Sequence, residues 1–244
     1  MLENLSPLQF SLATVILILA YTVRGITGFG SGLIAIPLLA LMMPLPLVVP
    51  MVVLLDYLAS ASHGIKNRGV IQWREILPLL PFTLSGVITA LYLFNTIETR
   101  LLVKALAVFI ILFALYNLLS PSPPHKGSRL WAIAAGGLGG LIGTLFGTGG
   151  PFYVIYLQLR KLEKTPFRAT LASIFLLDGG TRLVGYTASG FFNRETLLLL
   201  LAALPVMAFS LYLGGHIHTN LSQKTFQKAI SILLLGSGTA LLIK

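Results

Sequence analysis

Residues 24–37 read RGITGFGSGLIAIP and residues 136–151 read GGLGGLIGTLFGTGGP. Both stretches lie inside long apolar runs. A glycine within a helix costs about 0.5–1 kcal/mol relative to alanine, so glycines crowded at two such places mark either close helix contacts or intended breaks. Gly136 and Gly140, Gly139 and Gly143, and Gly143 and Gly147 have the spacing of helix contacts, and packing is the reading for Gly136 to Gly143. Breaks are expected instead at FGSG, Phe29 to Gly32, and at its echo FGTG, Phe146 to Gly149. Ser31 and Thr148 are suited to N-caps, Gly149-Gly150-Pro151 sets a proline in a first turn, and an apolar helical run follows each motif. The motifs predict two short helices that begin inside a membrane.

The rest of the chain agrees with a membrane. Of 244 residues 56% are hydrophobic and only 10% charged, against about 25% charged in an ordinary soluble domain. Uncharged stretches run from Asn4 to Val23, Gly25 to Leu55, Ile76 to Ile97, Leu130 to Leu159 and Thr196 to Gln223, each long enough to cross a hydrocarbon core of about 30 Å. They are continuous Leu, Ile, Ala and Gly runs, not the alternating segments of a membrane barrel. The net charge of +10 fits cytoplasmic loops facing anionic lipid, and nucleic acid is not an expected partner. With Glu3 and no Lys or Arg ahead of its apolar run, Met1 to Phe10 lacks the start of a cleaved signal peptide, so the first helix is expected to remain.

Enzyme signatures are missing. There is no cysteine, hence no thiolate nucleophile or thiolate metal site. Gly30-Ser31-Gly32-Leu33-Ile34-Ala35 satisfies G-x-G-x-x-A, but without a βαβ unit it implies no dinucleotide. No nucleophile elbow, zinc-protease helix or P-loop sequence occurs. No catalytic residue, metal or cofactor is therefore assigned.

Charge, glycine and proline divide the chain into apolar segments near 8–23, 25–43, 45–62, 76–95 and 101–119. Five more follow near 130–146, 148–159, 169–187, 196–215 and 225–243. Between them SPSPPHKGSR, residues 120–129, cannot continue a helix. The second set repeats landmarks of the first in order: FGSG and FGTG, Asp56 and Asp178, Arg74-Glu75 and Arg194-Glu195, Lys104-Ala105 and Lys228-Ala229. Asp occurs only at those two matching positions. Two repeats, 1–119 and 130–244, are expected. If the glycine motifs lay within single helices, eight crossings would spread Lys and Arg almost evenly. If the chain reverses at Arg24 and near Gly147, only Arg100, Lys104, Arg182, Arg194 and Lys244 of the seventeen lie on the poorer side, which obeys the positive-inside rule. Five segments per half then invert the second repeat relative to the first and leave both termini outside the cytoplasm.

Helix N-termini within the membrane suit an anion, because their free N–H groups and positive dipole end replace its hydration. The candidate substrate-binding residues are Phe29, Gly30, Ser31 and Gly32 with Phe146, Gly147, Thr148, Gly149 and Gly150. The hydroxyls add donors and the phenylalanines apolar walls. Inverted symmetry would bring the two ends together near the midplane. Carboxylates at depth are paired, protonated or in a wet cavity, so Asp56 and Asp178 are proton-coupling candidates or structural groups. Arg182, one turn after Asp178, is its evident partner, while Asp56 has Ser60 at that spacing. Arg24 and Arg182 could also attract an anion.

At GFGSGLIAIP, the basic linker and GTLFGTGGPF with Asp178 beyond it, the chain resembles the TauE/SafE family, also called the sulfite exporter family. The resemblance covers nearly the whole length, although the first copy lacks the Gly-Gly-Pro that follows the second. It implies an all-α, polytopic protein of the bacterial inner membrane with about eight full crossings plus short or broken helices. It also implies a secondary transporter moving a small sulfur-containing anion such as sulfite, thiosulfate, sulfoacetate or another sulfonate, its Gly-rich substrate region mapping onto Gly28 to Gly32 and Gly147 to Pro151. Another small organic anion is the alternative substrate, a membrane-embedded enzyme a more distant one.

Overall fold

The computed structural model describes residues 6–64, 69–119, 127–217 and 223–244. Residues 120–126 of the linker lie outside them. Among the described residues there is no strand, and the helices are α1 Pro7–Thr27, α2 Ser31–Ala40, α3 Leu45–Gly64, α4 Trp73–Ile76, α5 Leu80–Thr96, α6 Thr99–Leu119, α7 Trp131–Phe146, α8 Gly150–Leu159, α9 Lys164–Ala188, α10 Arg194–His216 and α11 Gln223–Ile243. Helices α1, α6 and α10 are each long and apolar enough to cross a membrane, with shorter apolar helices beside them. This is an all-α polytopic membrane fold.

Local chemistry sets the boundaries. Ser6 and Gln9 form a capping box on α1 with Pro7 in its first turn. The helix runs through Arg24, beyond the reversal expected there, and stops at Gly28, whose φ of 87° only glycine adopts readily. The turn therefore falls at Gly28 to Gly30, where the backbone is free to reverse. Helix α7 ends in the same way: Gly147 is left-handed and its N–H donates to the Gly143 carbonyl at 2.9 Å.

Two compact units form. The first comprises Met1–Val52, Ile97–Pro121 and Phe192–Lys244, the second Val53–Thr96 and Ser122–Phe191, so each draws helices from both sides of the linker. In the first unit α1 lies on α10, α6 on α11, and α2 against α1, α6 and α11. Backbones nearly touch where α1 meets α10: a Cβ on Gly25 would lie 2.7 Å from the Gly214 Cα, and one on Gly214 would lie 2.2 Å from the Thr22 carbonyl. The ammonium of Lys244 donates to the Ala40 and Leu41 carbonyls at the end of α2, at 2.9 and 3.1 Å, where a cation suits the helix dipole.

In the second unit α7 lies on α5, α8 on α7 and α9, and α9 also on α4 and α5. A Cβ on Gly140 would sit 2.3 Å from the Thr83 carbonyl and one on Gly136 2.6 Å from that of Leu79. Small residues let helices approach where apolar surface gains nothing over lipid. Two other glycines of α7 serve another purpose. Gly139 faces Tyr153 of α8, and Gly143 faces the Arg182 guanidinium of α9.

Candidate functional site

The second unit holds the more elaborate of the two helix breaks. Gly127, ahead of α7, donates its N–H to the carbonyl of Leu159, the last residue of α8, at 3.0 Å. The helix pair α7–α8 thus leaves and returns at one end of the unit. Ten residues of α8 rise about 15 Å, half the thickness of a hydrocarbon core of about 30 Å.

Glu75 of α4 anchors the returning end. It accepts from Tyr156 Oη at 2.8 Å, from Arg160 Nε at 2.9 Å and from Arg129 Nη2 at 3.1 Å, and Arg160 also donates to the Gly127 carbonyl at 2.6 Å. Burial alone would raise the Glu75 carboxyl. The hydrogen bonds from Tyr156, Arg160 and Arg129, with the charge of Arg160, outweigh it and hold the group below the usual carboxylate range.

At the other end of α8 a buried ion pair closes against the break. Arg182 donates through Nε to Asp178 Oδ1 at 3.0 Å and through Nη2 to Asp178 Oδ2 and to the Gly139 carbonyl, the last at 3.1 Å. Both side chains are buried. Any Cβ on Gly143 would collide with the guanidinium, and one on Gly149, the residue capping α8, would lie 2.7 Å from Nη2. Tyr186, also on α9, donates its hydroxyl to the Thr144 carbonyl. Phe146, Gly147, Thr148, Gly149, Gly150, Asp178 and Arg182 therefore form one neighbourhood.

The first unit carries a simpler version. Arg24, buried in the last turn of α1, donates Nη1 to Ser31 Oγ at 2.8 Å across the break. Thr27 Oγ1 bonds the Phe29 carbonyl at 2.6 Å and closes the turn. Phe29, Gly30, Ser31 and Gly32 thus keep company with Arg24.

One expectation about these motifs needs correction. Ser31 and Thr148 do not cap their helices. The cap of α2 is Gly30 with φ 96°, and Ser31 is its first helical residue; the cap of α8 is Gly149, with Pro151 in the first turn. Glycine takes each cap for its own reason, Gly30 because its backbone is left-handed and Gly149 because a Cβ there would lie 2.3 Å from the Gly139 carbonyl, and the hydroxyls next to them are released. Ser31 meets Arg24, while Thr148 Oγ1 has no hydrogen-bond partner among the described residues. The two aspartates also differ. Asp178 has its arginine, whereas Asp56 on α3 is half-buried, with Ser60 donating to its backbone carbonyl at 2.8 Å.

Sequence reasoning missed Tyr153, Tyr186 and the Glu75 cluster. Glu75 left one trace, since Arg74-Glu75 is among the repeated landmarks; the tyrosines left none, because aromatic residues in apolar helices are usually packing. No group of three His, Asp or Glu side chains suited to a metal occurs among the described residues.

The family model described as "Sulfite exporter TauE/SafE" matches residues 13–241. The chain is 28% identical over 193 residues to a "Probable inner membrane transporter protein TsaS" of Comamonas testosteroni, covering 78% of this chain and 81% of that protein. It is 25% identical over 225 residues to a "Probable sulfite/organosulfonate exporter TauE" of Cupriavidus necator, covering 89% and 88%. No solved structure matches the chain.

Proposed function

Because the chain belongs to the sulfite exporter TauE/SafE family, a family of multi-pass inner-membrane transporters and not of enzymes, we propose that it moves a small sulfur oxyanion or organosulfonate by alternating access. The two repeats, 1–119 and 130–244 joined by 120–129, are read as inverted copies. Phe29 to Gly32 and Phe146 to Gly150 are read as the substrate region. The observation that supports this most is the buried Arg182 guanidinium beside the capping glycine of α8. A cation and a helix N-terminus within the membrane are a costly arrangement, and both favour a negative ligand. The relatives' names point to sulfite and organosulfonate.

Arg182 is positioned by Asp178, so we assign Asp178 to holding the cation and proton coupling to the half-buried Asp56. Asp178→Asn should lose stability and transport together, since breaking a buried pair costs about 3–5 kcal/mol. Asp56→Asn should fold and transport down a substrate gradient, yet fail to respond to an imposed pH gradient. An unchanged response removes Asp56 from the cycle.

Counterflow in proteoliposomes tests the function. Labelled sulfite, thiosulfate and sulfoacetate are compared with acetate, and exchange of at least one sulfur anion is expected. Exchange of acetate alone would favour the organic-anion alternative; chemical conversion of a sulfur anion would point to an enzyme.

A further inference from the structure

Three buried side-chain oxygens have no hydrogen-bond partner among the described residues: Thr148 Oγ1, Tyr153 Oη and Ser210 Oγ. Two of them flank the start of α8, six residues of chain that also contain its capping glycine. Thr148 precedes that cap and Tyr153 is the fourth residue of the helix; both are buried. A helical side chain leans toward the N-terminus and covers the preceding turn. The Tyr153 ring does so: a Cβ on Gly139 would lie 2.8 Å from Oη, and the carbonyl of the same Gly139 is 2.3 Å from where a Gly149 Cβ would stand. The hydroxyl and the helix cap thus meet at one glycine. Tyr153 Oη shares its surroundings with Asp178, Arg182 and Thr83 but makes no hydrogen bond of acceptable geometry to any of them.

Buried hydroxyls are almost always bonded, and one left unpaired in a low-dielectric interior destabilises the empty protein. Two at one helix start, beside the N–H of Gly150, make a set of unused donors; Pro151 has no N–H, and that of Phe152 donates to the Gly149 carbonyl at 3.2 Å. We propose that Tyr153 Oη and Thr148 Oγ1 are direct donors to the transported anion, completing the shell begun by the Gly150 amide, and that Tyr153 is a specificity residue for an oxyanion presenting acceptor oxygens on two sides. Phe175, edge-on to the Tyr153 ring at 6.3 Å between centroids, holds that ring in place. The proposal rests on the anion-transport reading above.

Tyr153→Phe and Thr148→Val each delete one hydroxyl at nearly constant shape. Purified protein in detergent is titrated calorimetrically with sulfite, thiosulfate and sulfoacetate, and its thermal unfolding is recorded without ligand. Each variant should unfold at the wild-type temperature or above it, since a hydroxyl without a partner stabilises nothing. Affinity for the bound anion should drop about tenfold or more, the range for hydrogen bonds to a charged group. Tyr186→Phe, which removes a hydroxyl already bonded to Thr144, supplies the contrasting case: a lower unfolding temperature. Affinities within twofold of wild type, or a marked fall in unfolding temperature for Tyr153→Phe, would overturn the assignment. If the wild-type protein binds none of the three anions, the function itself is wrong and this assignment falls with it.

Discussion

At the scale of single residues, the second helix break depends on what glycine leaves out. The Gly143 Cβ position is 1.9 Å from Arg182 Nη2. The guanidinium is fixed by Asp178 and Gly139, so Gly143→Ala must evict it and leave a buried carboxylate without its cation. We expect a loss of about 3 kcal/mol, following the range for broken buried pairs, and loss of anion exchange. Gly137, in the same helix with no atom within 4 Å of its Cβ position, is the comparison: Gly137→Ala should be neutral or stabilising by about 0.5 kcal/mol. Equal melting temperatures for the two variants would show that the guanidinium is not held where the glycine row leaves room. The glycine row is visible in the sequence, but its division of labour is not. Four-residue spacing reports that glycines share a face; only the path of α9 decides that one of them meets an arginine.

Among the elements, α8 is too short to span a bilayer and its depth is set by its ends. Glu75 fixes the outer one. Since its folded pKa is depressed, its stabilisation is in force above the unfolded value of about 4.3 and is lost as pH falls through the lower folded value. Glu75→Gln should therefore cost about 3 kcal/mol at neutral pH, read as a drop of roughly 10 °C in Tm. The gap between wild type and variant should narrow below about pH 4; a gap independent of pH would mean the carboxylate charge is not what holds Arg129 and Arg160. The segments themselves were largely legible, because apolar runs and proline or glycine punctuation are local signals. The predicted runs at 8–23, 101–119 and 196–215 lie within α1, α6 and α10. What stayed hidden was long-range: Glu75 and Arg160 stand 85 residues apart, and no periodicity links them. The caps were misassigned for a nearer reason, since serine and threonine propensities describe ordinary helix starts and not a backbone reversing over left-handed glycine.

For the whole molecule, α8 returns to the end where α7 begins, and a reading of five segments per half turns on that reversal. Helix α1, whose break is followed by α2, follows the same plan. A fluorescent reporter fused after Lys244 and active only in the cytoplasm should stay dark, and a periplasmic phosphatase at the same place should be active; the opposite pattern would reverse the orientation. The bond between Gly127 and Leu159 has a further meaning for how the chain is made. A ten-residue helix is too brief for the translocon to release into lipid alone, so residues 131–159 must partition as a hairpin, and Glu75 must wait through most of another hundred residues of synthesis for its second arginine.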